Sequence, residues 1–438
     1  MRADGARYLN AADRLMLVGH DGMRGIGHPG FVCQSQILLE SRVDFGALRA
    51  AVDRLTLKHP VVSARLRRDE HGLPYWEPTG APPELQELTI ESESDRWRES
   101  ARLLEAPLDL ERESPISFHL LHAPDGRDTL VLRFSHVLMD GKSPEWTLRA
   151  LDECFDDRAE NDAMCDACGP LDAINAHLRR FDRWQRARWA GRVIRSQIGL
   201  PVTPVTLAPP EQKEWCVSPF GVLARTIDEA AAAKLSDRVK RICGFPNLTP
   251  ALAASIFRAI SRCTPHPTTD RTVYQTDCPL NLRPPGTREP MFRNFMSFIQ
   301  ICARQGDLAD RDEATRRLSA QMRDQLRRGI DVGNLQMMAV MCRFAPLLRS
   351  HIITRMKRRP FTLGFSYLGP VIKELTRFCG IPVKNVYTFN TALSPPGVTI
   401  QVNQFSGRIN LMLSYITSAV PDALAQRLLD EIVNDLGE

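Results

Sequence analysis

The chain has 438 residues, 43% hydrophobic and 25% charged, the composition of a globular protein, which excludes disorder over most of its length. At roughly 100–200 residues per domain, two domains, or at most three, are expected. The formal charge of +5 and the pI near 8.7 suit an anionic substrate or an acidic partner but fall short of a nucleic-acid footprint.

The opening residues "MRADGARYLNAADRL" have no apolar core, so no export signal is expected. No window reaches the roughly 18 consecutive apolar residues of a membrane span. A cytoplasmic protein is the expectation. Asp44 can cap a helix with Phe45, Leu48, Val52 and Leu55 on one face, and "KHP" at 58–60 ends it. Strand-like runs follow, including "TLVLRFS" at 129–135. That run leads into His136-Val137-Leu138-Met139-Asp140-Gly141, and a helical pattern begins near Pro144. Residues 152–166 are acid-rich. The stretch "RRFDRWQRARWAGRVIR" at 179–195 carries seven arginines with Phe181, Trp184, Trp189 and Val193. "GLPVTPVTLAPPE" at 199–211 has four prolines and no helical period, and reads as a connection between halves.

The second half repeats the style of the first. "IDEAAAAKLSDRVKRICG" puts Leu235, Val239 and Ile242 on one helical face, with Gly244 at its end. Thr249-Pro250 open another helix, threonine at the cap and proline at the first position. "YQTDCPLNLRPP" at 274–285 reads as a strand running into a turn. "GVTIQVNQFSGRINLMLSYI" alternates as a β-hairpin turning at Ser406-Gly407, and "PDALAQRLLDEIVNDL" closes the chain as an amphipathic helix. The sum is an α/β chain in two comparable halves. The expected division is 1–170, a connecting helix and Pro-rich linker over 171–212, and 213–438.

Eleven cysteines are scattered along the chain, and without an export signal free thiols are the default. Cys165 and Cys168 form one CxxC, but a zinc site needs four ligands and no second pair lies at suitable spacing. No metal and no redox cofactor is expected.

The sequence HxxxDG occurs once, at His136 to Gly141, where composition alone predicts about 0.04 occurrences. A strand leads in and a helix leads out, a junction at which reactive side chains are commonly set. A buried histidine at a strand end beside a turn Asp-Gly would produce the same letters. Histidine titrates near neutral pH, so His136 is suited to act as a general base. Gly141 suits either a plain turn or a backbone needing positive φ or close approach by a substrate.

With this motif the chain resembles the HxxxD acyltransferases: condensation domains of nonribosomal peptide synthetases, plant BAHD acyltransferases, polyketide-associated acyltransferases and wax ester synthases. "YLNAADRLML" is similar to their N-terminal segment, and "LTLKHPVVSARLR" at 55–67 to "RHPxLRxxF". "APLDLERESPISFHLL" at 106–121 resembles "PxDLxxxPPLRxxL". Asn281-Leu282-Arg283 resembles "NxR". "FRNFMSF" at 292–298 resembles "xGNxxxx", with Arg293 in place of glycine. "FTLGFSYLGPV" at 361–371 resembles the "xSNxG" strand, with Tyr367 in place of asparagine. The resemblance implies two chloramphenicol-acetyltransferase-like domains, each a mixed sheet flanked by helices, with an active-site tunnel between them open at both faces. It implies His136 as the base and an acyl thioester, on coenzyme A or on the phosphopantetheine of an acyl carrier protein, as donor. It also implies that Asp140 points away from the tunnel and pairs with an arginine, for which Arg283 is the candidate, so that Asp140, Gly141 and Arg283 support the site. Ser366, Tyr367 and Asn294 are candidate oxyanion or substrate contacts.

Two departures shape the expectation. Peptide-forming condensation domains usually carry HHxxxDG, and the first histidine is here Ser135, which favours a stand-alone transfer to a hydroxyl over an amine. The plant "DFGWG" is absent. The expected protein is a monomeric acyltransferase of secondary-metabolite or lipid biosynthesis. Its alternatives are a wax ester or diacylglycerol synthase-type enzyme at a membrane surface, and a non-catalytic, condensation-like carrier-binding domain. The Arg-rich segment would serve the membrane version, or be a solvated helix. "RMKRRP" at 355–360 would suit coenzyme A phosphates, an acidic carrier protein, or plain solvation.

Overall fold

In the computed structural model, residues 7–155, 173–198, 204–208, 217–284, 286–287, 291–342 and 361–437 are described. Cys165 and Cys168, the "RMKRRP" run and most of the Pro-rich stretch lie outside them. The chain divides into two compact units. The first comprises Met1–His177, Asn281–Met296 and Pro370–Thr388, and the second Leu178–Leu280, Ser297–Gly369 and Phe389–Glu438. Arg283 and Asn294 therefore belong to the same unit as the HxxxDG segment.

In chain order the first unit forms β1 (Arg7–Tyr8), α1 (Ala11–Arg24), β2 (Val32–Leu39), α2 (Phe45–Lys58), β3 (Ala64–Arg68), β4 (Pro74–Pro78), β5 (Leu85–Thr89), α3 (Glu93–Glu105), β6 (Ile116–His122), β7 (Asp128–Ser135) and α4 (Ser143–Glu153). Helices α1, α2 and α3 start where side chains satisfy unpaired first-turn N–H groups. Asp44 caps α2 and Ser92 caps α3. Asn10 and Asp13 form a reciprocal capping box on α1. A six-stranded sheet has the order Arg377–Phe378, Ile381–Asn390, β2, β7, β6, β5. β7 lies between β2 and β6, antiparallel to both, while β5 and β6 run parallel, so the sheet is mixed. All eight residues of β7 are buried. Its apolar run is thus a strand covered on both faces, and each fully buried leucine such as Leu130 or Leu132 contributes about 1.5–3 kcal/mol.

In the second unit a four-stranded sheet has the order Gly364–Pro370, Val398–Phe405, Arg408–Ile416, Phe220–Ile227. The C-terminal hairpin is the one expected, with Ile400 opposite Leu413 and Val402 opposite Leu411. Ser406 and Gly407 both take positive φ at its turn, at 47° and 75°. The alternate positions are polar yet also buried: Gln401, Asn403, Asn410 and Ser414 are at most 2% exposed. Helix Glu229–Cys243 ends at Gly244 with φ 79°, and its buried face is Ala232, Leu235, Val239 and Cys243, so Cys243 takes the place expected of Ile242. Thr249 is not the cap of its helix. Leu248 is, and the Thr249 N–H is met by Asn247 Oδ1 at 3.0 Å, with Pro250 in the first turn.

Candidate active site

The strand delivers His136. Ser135 is the last residue of β7 and pairs with Val32, and the His136 N–H donates to Phe31 O at 3.0 Å, so the sheet ladder holds the backbone up to the histidine. The chain then turns. Leu138 N–H returns to Ser135 O, and Val137 N–H donates to the Ser135 hydroxyl at 3.2 Å. Val137, Leu138 and Met139 are fully buried and anchor the turn, while His136 between them and the strand keeps part of its surface exposed.

Asp140 turns away from His136. Its Oδ1 accepts from the Lys142 N–H and the Ser143 hydroxyl, each at 3.2 Å, shaping the entry to α4. Its Oδ2 accepts from Arg283 at 2.7 Å and from the Phe295 N–H at 2.9 Å. Arg283 also donates to Asn281 Oδ1, Ser143 Oγ and Arg293 O. Both ions are buried, Asp140 at 4% and Arg283 at 7% exposed. A buried pair whose lone pairs and N–H groups are met in this way holds three chain segments in register. Gly141 differs from one of its expected readings, because it is not among the glycines at positive φ. Asp140, by bonding Lys142 N–H across it, supplies the turn that a left-handed glycine would otherwise provide.

Asn294 does other work than a substrate contact. Its Oδ1 lies 3.0 Å from His136 Nδ1. Its Nδ2 donates to Asp13 Oδ1 at 2.9 Å and to His136 O at 2.8 Å, and its backbone N–H donates to Asp13 Oδ1 at 2.8 Å. The amide is fully committed, so it is not placed to donate to an oxyanion. Asp13 was not singled out by its sequence. The spacing Asn10-x-x-Asp13 carries a capping-box signature, and that signal conceals the second task of the carboxylate. Burial pushes the Asp13 carboxyl up to about 6, opposed by Arg293 and by the N–H groups of Asn294 and Asn10.

A second buried carboxylate lies at the start of α4. Glu145 accepts from Lys142 Nζ at 2.9 and 3.0 Å and from the Ile372 N–H at 3.0 Å, and Lys142 also donates to Pro370 O at 2.7 Å. Burial raises the carboxyl of Glu145 despite its lysine partner. This latch ties the residues after HxxxDG to the segment 370–372.

Ser366 and Tyr367 lie on strand Gly364–Pro370 of the second unit. Tyr367 donates to Gln404 Oε1 at 2.8 Å, and burial pushes its phenol up to about 12. The Arg-rich stretch forms two helices, Ala173–Arg179 and Arg183–Ile198, with Asp182 receiving the Trp184 N–H at the start of the second. Trp189 and Val193 of that helix lie against Gly329 and Gly333, while Trp184 is 72% exposed. Among the described residues, no helix is long and apolar enough to cross a membrane, and no cluster of His, Cys, Asp and Glu could hold a metal ion.

No family model matches the sequence, and no curated protein is similar to it in sequence. Solved structures are similar in fold. The first condensation domain of the calcium-dependent antibiotic synthetase superposes with a TM-score of 0.70 at 16% identity, covering 99% of this chain and 96% of that one. The trichothecene 15-O-acetyltransferase of Fusarium sporotrichioides gives 0.68 at 11% identity, covering 99% and 95%. A variant of the starter condensation domain of rhizomide synthetase, in complex with C8-CoA, gives 0.66 at 13% identity, covering 99% and 94%. The chain therefore has the chloramphenicol-acetyltransferase-like fold of condensation domains and related acyltransferases, over nearly its whole length.

Proposed function

We propose that the protein is an acyltransferase that moves an acyl group from a thioester to a hydroxyl, with His136 as general base. The observation that carries the reading is the setting of His136. It stands at the end of a buried strand and is half-buried itself. Nδ1 is engaged by Asn294, and no hydrogen bond reaches Nε2 among the described residues. Nε2 takes the proton of the acceptor hydroxyl as its oxygen attacks the thioester carbonyl. The tetrahedral intermediate then collapses, the C–S bond breaks, and the imidazolium returns the proton to the departing sulfur. The products are an ester and a free thiol, and no acyl-enzyme is needed. Holding two substrates in line can itself remove roughly 7–11 kcal/mol of barrier, so a single base suffices.

The donor is coenzyme A or carrier-bound phosphopantetheine. The neighbour in complex with C8-CoA supports a thioester, and the neighbouring acetyltransferase supports an oxygen acceptor. Ser135 supports the same choice. It is fully buried and its hydroxyl is turned onto the Val137 N–H, so it is not available to replace a second histidine. A place in secondary-metabolite biosynthesis fits these neighbours.

The test is to incubate the protein with acyl-coenzyme A and acyl-carrier thioesters plus a panel of alcohols and amines, and to follow free thiol with the acylated product. His136→Ala should fold normally and lose about 10²–10⁴-fold in turnover. Equal turnover by His136→Ala, or no acceptor-dependent thiol release from any donor, would refute the reading.

A further inference from the structure

We propose that Asn294, oriented by Asp13, is a positioning residue that locks His136 in the tautomer bearing its proton on Nδ1. The two ends of a side-chain amide look alike in shape and differ only in whether they donate or accept. One end of the Asn294 amide faces Asp13 Oδ1 at 2.9 Å, His136 O at 2.8 Å and Val137 O at 3.4 Å. All three are acceptors, and two are carbonyl oxygens that can be nothing else. That end must be the NH2. A flipped amide would set an oxygen against three oxygens and leave buried groups unpaired.

The other end is then an acceptor, and it faces His136 Nδ1 at 3.0 Å. Only an N–H can satisfy that contact, so neutral His136 carries its proton on Nδ1 and its lone pair on Nε2. Asp13 fixes the arrangement a second time. It grips the Asn294 backbone N–H at 2.8 Å as well as the side chain, so neither the residue nor its amide is free to rotate. Asp13 is itself held, by the Asn10 N–H at 3.0 Å and by Arg293 at 3.8 Å. His136, Asn294 and Asp13 thus form a linear array of the type in which a third group orients a base. Asn294 touches the base, and Asp13 acts through Asn294.

The functional meaning of the lock rests on His136 being the base, but its test does not. Protein labelled with nitrogen-15 in its histidine rings reports the tautomer directly, with the His136 signals assigned by their absence from His136→Ala. In its neutral form, the wild-type ring should show a protonated Nδ1 and a bare Nε2. Asn294→Ala should shift the His136 signals toward a mixture of tautomers and lower kcat on the order of tenfold with little change in KM. Asp13→Asn serves as a second, isosteric variant: its amide cannot accept the Asn10 N–H and the Asn294 groups through both ends, so the hold on Asn294 loosens and the His136 signals should move part of the way toward the mixture. A wild-type His136 protonated on Nε2, or exchanging between both forms, overturns the proposal. The wild-type spectrum decides even if Asn294→Ala does not fold. A locked tautomer without any thioester turnover would refute the acyltransferase reading and leave the array standing.

Discussion

Asp140 and Arg283 are 143 positions apart in sequence, and their side chains meet at 2.7 Å in the interior of the first unit. The carboxylate is used completely at that place. One oxygen shapes the turn into α4 and the other takes Arg283 with the Phe295 N–H. Nothing of it is directed at His136, so the histidine and the aspartate of HxxxDG perform separate tasks.

Removing one member of this pair leaves a buried charge without its partner. Asp140→Ala and Arg283→Met should each destabilise the protein by about 3–5 kcal/mol, read from denaturant unfolding, with activity falling in parallel. The double variant should lose less than the sum, because the second substitution removes the charge that the first left unpaired. Single losses below about 1 kcal/mol would mean that the pair is solvated like a surface ion pair.

Asp13 predicts a pH dependence with a definite sign. Its folded value of about 6 lies above its unfolded value near 3.8, so the native state favours the protonated carboxyl. Its contribution to stability is fully present below about pH 4 and is lost as pH rises through about 6, amounting to about 3 kcal/mol. Asp13→Asn should remove that part of the profile. The difference between wild-type and variant unfolding free energies, followed from about pH 4 to about pH 7, isolates it from other titrating groups. A difference that does not change with pH would show that Asp13 is ionised throughout.

Two glycines near the Arg-rich helix should respond in opposite directions. A Cβ at Gly333 would lie 2.7 Å from the backbone of Trp189, which cannot move aside, so Gly333→Ala should cost about 1–3 kcal/mol. A Cβ at Gly191, within helix Arg183–Ile198, meets nothing within 4 Å. Gly191→Ala should therefore stabilise by up to about 1 kcal/mol. Thermal denaturation of both variants tests the packing of this helix; a neutral Gly333→Ala would show that its contact with Trp189 is loose.

The hairpin turn offers a gain in stability. Ser406 sits at φ 47°, a conformation that a side chain opposes. Ser406→Gly or Ser406→Asn should raise stability by a few tenths to about 1 kcal/mol. Gly407, at φ 75°, should lose about 1–2 kcal/mol when replaced by alanine. Calorimetric midpoints for the three variants give the ordering directly.

What can be read from sequence follows from where the information is stored. The strand into His136 and the C-terminal hairpin are legible because burial imposes a period on neighbouring residues. The Asp140–Arg283 pair is reached through resemblance, since no local pattern joins positions so far apart. Asp13 is hidden for a different reason. A capping box accounts fully for Asn10 and Asp13 on local grounds, so nothing in the pattern points to the further bond to Asn294. Asn294 is picked out by its segment, yet which end of an amide faces which neighbour is a property of packing alone. Gly141 stays open in the sequence because Asp-Gly suits a plain turn as well as one at positive φ, and here Asp140 makes the turn without positive φ.

The first unit is assembled from three separate stretches of chain, and the middle one, Asn281–Met296, supplies both Arg283 and Asn294. The domain carrying HxxxDG therefore cannot be obtained by cutting the gene once. A fragment ending at His177 would contain the histidine and its strand but neither the arginine that neutralises Asp140 nor the asparagine that orients the ring. Inheritance of the site is correspondingly indivisible: a recombination that exchanges the front of this chain for that of a relative must carry a compatible 281–296 with it.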